Sequence, residues 1–423
     1  MTNALASTRR FMLTTALATA WSVSPALAQS EAPSDDQAME MPAGETAPTP
    51  EIGANDASGP DDAAAMDDGA TDSAAAGDAA ADDASETESA GAADDASSDM
   101  SGTLERSTED MARVIDALLS LEPKPIPELS AEEARQQPNP ADAVLKVIED
   151  QGIDVPEPAV EKRDITYPAG EGEQPARVYI PTDVGEGPFP LVVYVHGGGW
   201  VLATIDTYDA SATAIADKLD AVVISLEYRH APEHKFPAAH EDVLAGYKWA
   251  IENAGQFNAD SERLAMVGES VGGNMVVATA IAARDQQLTE ADHIVSVYPV
   301  SQTDTDTESY QENANAVPLS KAMMPWFFEK TVESEEQLAN PRITLLDANL
   351  AALPPITIIN ATIDPLLDDG TMLADAIREA GGEVEQRTFE GVTHEFFGMS
   401  AVVEKAGEAQ DYAVGRIEAD LGE

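Results

Sequence analysis

Val267 to Asn274 reads VGESVGGN, with one serine, Ser270, between Gly268 and Gly272. A serine hydroxyl is a weak nucleophile until a base takes its proton, and it must stand clear of its own backbone to reach a substrate. Gly-x-Ser-x-Gly between the strand-like run Leu264 to Val267 and a helix-like run meets the second need. The turn is so sharp that its flanking positions must be small, and the hydroxyl lands at the positive end of a helix dipole. The pentapeptide alone also fits an ordinary glycine-rich turn, so its meaning depends on partners elsewhere in the chain.

Three further stretches supply such partners. Val192 to Trp200 is a strand-like run that enters His196-Gly197-Gly198-Gly199-Trp200. Glycines let backbone N–H groups turn toward a developing oxyanion with no side chain in the way. Asp364-Pro365-Leu366 follows the apolar run Ile356 to Ile359, and His394 lies in Gly391-Val392-Thr393-His394-Glu395-Phe396 after the last strand-like run. Nucleophile, then acid, then histidine is one of the known chain orders of a catalytic triad. Asp364, Asp368 and Asp369 share one loop. Asp364 comes first after the strand-like run, which places it nearest the sheet edge where Ser270 emerges. Pro365 favours a rigid turn just past it. Asp368 and Asp369 precede Gly370 and a helix-like run from Thr371, where carboxylates cap exposed N–H groups.

These residues need a scaffold, and the hydrophobic pattern describes one. Strand-like runs lie at Ile165 to Tyr167, Ala176 to Ile180, Leu191 to Val195, Ala221 to Leu226, Leu264 to Val267, Ile294 to Tyr298, Ile356 to Ile359 and Val384 to Phe389. Helix-like segments alternate with most of them, at Tyr208 to Lys218, Ala238 to Asn253, Asn274 to Arg284, Thr371 to Ala380 and Val402 to Leu421. Short unbroken apolar strands are those covered on both faces, so the pattern predicts an α/β fold with a mainly parallel sheet. Upstream, Ser107-Thr108-Glu109-Asp110 has the form of a capping box before a helix carrying Met111, Val114, Ile115, Leu118 and Leu119. Pro123, Pro125 and Pro127 end it, and a second helix runs from Pro140 to about Asp150.

The rest of the composition sets limits. The chain has 423 residues, no cysteine and a formal net charge of -55. No disulfide, thiolate metal site or cysteine nucleophile is available. The charge argues against nucleic-acid binding and against docking on an anionic membrane. Residues 1–28 have the form of an export signal: Arg9 and Arg10, a short apolar run from Phe11 to Val23, and Ala26-Leu27-Ala28 as a cleavage site. The run is too short for a stable membrane span. Thr8 to Leu13 fits a twin-arginine signal, and a general secretory signal with two arginines fits equally. Both place the protein outside the cytoplasm, periplasmic or secreted. Residues 29–104 are mostly alanine, aspartate, glycine, serine, proline and glutamate with no basic or aromatic residue, a composition expected to stay disordered as a linker. That leaves 105–423 as one folded domain.

The motif set resembles the hormone-sensitive-lipase-like bacterial esterases (family IV) of the α/β-hydrolase superfamily. The resemblance rests on His196 to Trp200, on Glu227 to Glu233 with Phe236 to Ala239, on Gly268 to Asn274, on Asp364 to Leu366, and on His394 with Phe396. It implies an α/β-hydrolase fold over 105–423 whose N-terminal helices, 105–155, form part of a cap. It implies Ser270 as nucleophile, His394 as general base and acid, and Asp364 as the residue fixing the imidazole tautomer. Gly198, Gly199 and Val271 then donate the oxyanion-hole amides. The elbow departs from the family's common form, with Glu269 before the serine and β-branched Val271 after it. The implied function is a serine carboxylesterase acting on short- to medium-chain esters, a small-molecule substrate, with no cofactor and no metal. An amidase, arylformamidase or carbohydrate deacetylase would use the same triad, and a ligand-binding relative would lack the histidine.

Trp200, with Trp326 and Phe327 of the dense apolar patch Met323 to Phe328, is a candidate for the substrate pocket, although a plain core helix explains such a patch equally. His230, His234 and His240 lie near Glu233, Glu241 and Asp242. Their spacings of four and six match no familiar ligand pattern, and a structural role is expected.

Overall fold

The computed structural model describes residues 102–422. The export segment and nearly all of the linker expected at 29–104 lie outside the described residues. Eight strands form one sheet: β1 Val160–Ala169, β2 Gly172–Pro181, β3 Phe189–Val195, β4 Val222–Leu226, β5 Ala259–Glu269, β6 His293–Val297, β7 Ile356–Ile363 and β8 Val384–Thr393. Their order across the sheet is β1-β2-β4-β3-β5-β6-β7-β8. β1 pairs antiparallel with β2, and β2 antiparallel with β4; every other neighbour pair is parallel. All eight expected runs are strands.

The period-2 geometry of a strand sends successive side chains to opposite faces. On β3, Leu191, Val193 and Val195 enter one core while Val192 and Tyr194 enter the other. The first core is completed by α5 Ala238–Asn253, α6 Val271–Gln286 and α9 Leu367–Glu379. The second is completed by α1 Glu109–Ser120, α3 Pro140–Gln151, α4 Asp209–Leu219 and α10 Glu404–Leu421. The remaining helices are short: α2 Ala131–Ala134, α7 Glu308–Glu312 and α8 Met323–Thr331. Among the described residues, no helix is long and apolar enough to cross a membrane.

Local structure differs from the expected boundaries in three places. A helical turn over 102–106 precedes Ser107, whose N–H and hydroxyl both bond the Thr103 carbonyl. Thr108, not Ser107, therefore caps α1, accepting from Met111 N. Asp110 closes no box; its two oxygens accept from Met111 N and from Glu404 N, the first residue of α10. α6 starts at Val271, directly on the serine, and α9 starts at Leu367, four residues before the expected start.

Candidate active site

Ser270 follows β5 and caps α6 with φ 58° and ψ -120°, a strained backbone for a non-glycine residue. Its N–H donates to Val297 O at 2.9 Å, which fixes the turn to the neighbouring strand β6. The flanking glycines are demanded by space. A Cβ on Gly268 would lie 2.3 Å from Gly272 O, and one on Gly272 would lie 2.1 Å from Val195 O. Any larger residue at either position would force β3, β5 and α6 apart.

The loop after β3 lies beside this elbow. Gly198 and Gly199 have φ of +98° and +63°. A Cβ on Gly198 would meet the Leu202 carbonyl oxygen at 2.1 Å, and one on Gly199 would meet the Phe327 ring at 2.2 Å. Val271 N–H belongs to the first turn of α6, where no intrahelical acceptor exists. Gly198, Gly199, Ser270 and Val271 line one cavity of about 590 Å³ together with His394.

His394 and Asp364 form a buried pair, with Nδ1 2.7 Å from Asp364 Oδ2. Asp364 follows the end of β7 and His394 follows the end of β8, so the sheet itself brings them together. The other Asp364 oxygen accepts from Leu366 N at 2.9 Å, which aims the carboxylate. Nδ1 facing a carboxylate carries the hydrogen, leaving Nε2 with the free lone pair. Burial alone would push the His394 pKa down, but the charge and hydrogen bond of Asp364 outweigh it, and the pKa stands above the usual 6.5.

The other two aspartates do different work from the capping expected of them. Both lie inside the first turn of α9, since that helix starts before them. Asp368 accepts from Ser309 N at 2.8 Å. Asp369 is fully buried and accepts from Ser301 N at 3.1 Å. Burial pushes its carboxyl up to about 8.

The cavity roof comes from two places. Leu118, Ile126 and Ala134 of the N-terminal segment line it, as do Met323, Met324 and Phe327 of α8. Trp200 also lines it, buried and with φ 60°. Trp326 does not. One residue along a helix turns a side chain by about 100°, so when Phe327 faces the cavity Trp326 faces elsewhere. Its indole N–H donates to Leu129 O at 3.0 Å, tying the N-terminal segment to α8.

Further site residues lay beyond the reach of the sequence reading. Glu269 is buried beneath the elbow and accepts from the hydroxyls of Tyr194 and Tyr298. Burial first, then the nearby charge of Glu395, pushes its carboxyl up to about 7. Glu395 takes φ +69° and accepts from Tyr208 at 2.6 Å at the cavity wall. Burial pushes its pKa up, against the pull of His394. The signal available was the adjacency of both glutamates to Ser270 and His394. Of the three downstream histidines, His240 is buried between Asn274 Oδ1 and Arg342 O, and burial lowers its pKa to about 4. His230 instead reaches Glu227.

Comparison with known proteins agrees with this geometry. A family model described as the alpha/beta hydrolase fold matches residues 192–398. Carboxylesterase NlhH of Mycobacterium tuberculosis is 36% identical over 259 residues, 60% of this chain and 81% of that one. The chain belongs to the α/β-hydrolases, on their hormone-sensitive-lipase-like branch. Ethyl acetate hydrolase of Pseudomonas putida is 30% identical over 289 residues, 67% of this hydrolase and 88% of that one. Among solved structures, the esterase of Pyrobaculum calidifontis is similar with a TM-score of 0.63 at 32% identity, covering 69% of this hydrolase and 94% of that chain.

Proposed function

We propose that this α/β-hydrolase is a serine carboxylesterase. Ser270 attacks the ester carbonyl while His394 Nε2 takes its proton. The N–H groups of Gly198, Gly199 and Val271 hold the oxyanion. The imidazolium, oriented by Asp364, returns the proton to the leaving alcohol. Water activated by the same histidine then hydrolyses the acyl-enzyme. The observation that carries this reading is the buried His394–Asp364 pair opening onto the same cavity as the strained Ser270 elbow.

The substrate class follows from the cavity. About 590 Å³ is the size of a small-ligand site, and its apolar lining suits an acyl chain of short to medium length. The names of the similar proteins, carboxylesterase and ethyl acetate hydrolase, support esters over amides. Trp200 and Phe327 form the acyl wall. The test is hydrolysis of p-nitrophenyl esters graded from acetyl to palmitoyl, by the wild type and by Ser270→Ala. The expected result is turnover falling off at long chains, and a loss on the order of 10⁶ in kcat for the variant. Equal turnover by Ser270→Ala would overturn the reading; turnover of amides or acetylated sugars above esters would move the substrate class.

The protein acts outside the cytoplasm in this proposal. Arg9, Arg10 and the Ala26-Leu27-Ala28 site support removal of residues 1–28 on export. N-terminal sequencing of the mature protein tests it, with Gln29 as the expected first residue.

A further inference from the structure

Beside the glycine loop, two histidines and a glutamate converge from separate elements, and His230 also lines the cavity that holds Ser270. His196 follows β3 and heads the loop; Glu227 follows β4; His230 comes three residues later. Glu227 Oε1 lies 3.1 Å from His196 Nε2 and 3.1 Å from His230 Nε2. One ligand atom from each of the three falls within 4.8 Å of the other two. A tetrahedral zinc ion with bonds of about 2.1 Å holds its donors roughly 3.4 Å apart, so small side-chain shifts close the set.

The ring orientations point the same way. His196 Nδ1 lies 2.9 Å from the Gly197 carbonyl, an acceptor, and so carries a hydrogen. Its Nε2 is the ring nitrogen that faces the Glu227 carboxylate, at 3.1 Å. His230 Nε2 is buried beside the same oxygen and makes no hydrogen bond. A single cation among the three atoms would engage both imidazoles and the carboxylate together. The supporting shell of a metal site is also in place. Glu227 Oε2 accepts from Ile205 N at 3.0 Å, Tyr167 donates to the Glu227 carbonyl at 2.5 Å, and the His196 ring stacks on Tyr228 at 4.4 Å. A second cavity, lined by Glu227, His230 and His234, offers an entry path and room for water in the open coordination position.

We propose that His196, Glu227 and His230 bind one divalent first-row transition ion of the zinc type, beside the oxyanion loop. Two imidazoles and a carboxylate are the donor set that suits zinc over magnesium or calcium. The site uses none of the triad residues, although His230 also lines their cavity, and it stands whether or not the ester chemistry does.

The test uses the full chain without an affinity tag, stripped by chelator and titrated with Zn²⁺ and Co²⁺ in excess Mg²⁺, which occupies the many surface carboxylates. One equivalent should bind, and Co²⁺ should show the visible absorption of a low-coordinate nitrogen-ligated ion. His230→Leu should weaken binding at least about 10-fold, while His234→Leu and Ser270→Ala should bind as the wild type. Should His230→Leu fail to fold, histidine-nitrogen NMR of the wild type decides: zinc should move His196 and His230 and leave His240 and His293 in place. Binding unchanged in folded His230→Leu, shifts confined to other histidines, or no uptake above Mg²⁺ would each overturn the proposal.

Discussion

Asp364 Oδ2 lies 2.7 Å from His394 Nδ1, while Asp369, five residues further on, turns its carboxyl away to Ser301. Both side chains are fully buried, so burial does not separate their roles; the partner does. Asp364→Asn presents either an amide N–H or a weaker acceptor to Nδ1 and favours the wrong imidazole tautomer. The expected cost is about 10⁴ in kcat with the fold intact, read by steady-state ester hydrolysis beside circular dichroism.

Asp369→Asn should leave kcat near wild type and change stability in a pH-dependent way. The folded carboxyl is raised from 3.8 to about 8 by burial. A raised folded pKa contributes stability that is present below 3.8 and is lost as pH climbs toward 8. Asparagine does not titrate. The difference in Tm, variant minus wild type, should therefore grow more positive from pH 4 to pH 8. A difference that stays flat with pH would mean that the carboxyl is ionised in the fold.

The two loop glycines should respond differently to alanine. At Gly198 the added methyl meets the Leu202 backbone carbonyl, which cannot move without the loop. Gly198→Ala should cost about 10² to 10³ in kcat, the scale of one lost oxyanion donor. At Gly199 the obstacle is the Phe327 side chain. Gly199→Ala should therefore be partly rescued by Phe327→Ala, and Gly198→Ala should not be. A double-mutant cycle on kcat/KM measures the coupling.

Trp326→Phe removes one hydrogen bond to Leu129 O and should cost about 0.5–1.5 kcal/mol in stability with little change in acyl preference. Phe327→Ala enlarges the cavity wall and should shift the preferred ester toward longer chains. If the Trp326 variant alters chain-length preference and the Phe327 variant does not, the two rings have been assigned to the wrong faces.

The contrast between these neighbours marks where the sequence stops being legible. Strands β3 to β7 were readable because central parallel strands are apolar on both faces, and Leu191 to Val195 is buried at every position. The elbow and the glycine loop were readable because only glycine fits there, as the short distances to an added Cβ at Gly198, Gly268 and Gly272 explain. Trp326 and Phe327 were not separable, since a run of apolar residues does not state the phase of its helix. Asp369 lies inside the helix, where the sequence pattern expects a cap, because α9 starts four residues before the expected start. The contacts of Glu269 with Tyr194 and Tyr298, and of His196 with His230, join separate elements, and no local pattern encodes them.

Glu395 sets the acid side of the pH profile. The hydrolase needs neutral His394, and Asp364 raises the His394 pKa above 6.5 despite burial, with the charge of Glu395 adding to the rise. Activity should therefore fall with acidification at a pH higher than an isolated histidine would give. Glu395→Gln keeps an acceptor for Tyr208 and removes the charge. Less stabilisation of the imidazolium lowers the His394 pKa, so the acid limb of kcat/KM should move to lower pH. Glu395→Gly tests the same charge with the backbone relieved, because φ +69° suits glycine. Both variants should move the limb in the same direction, while only the glycine loses the Tyr208 bond. An unmoved limb in both would show that Glu395 carries no charge while His394 titrates, and would leave Asp364, with Glu269, as the source of the shift.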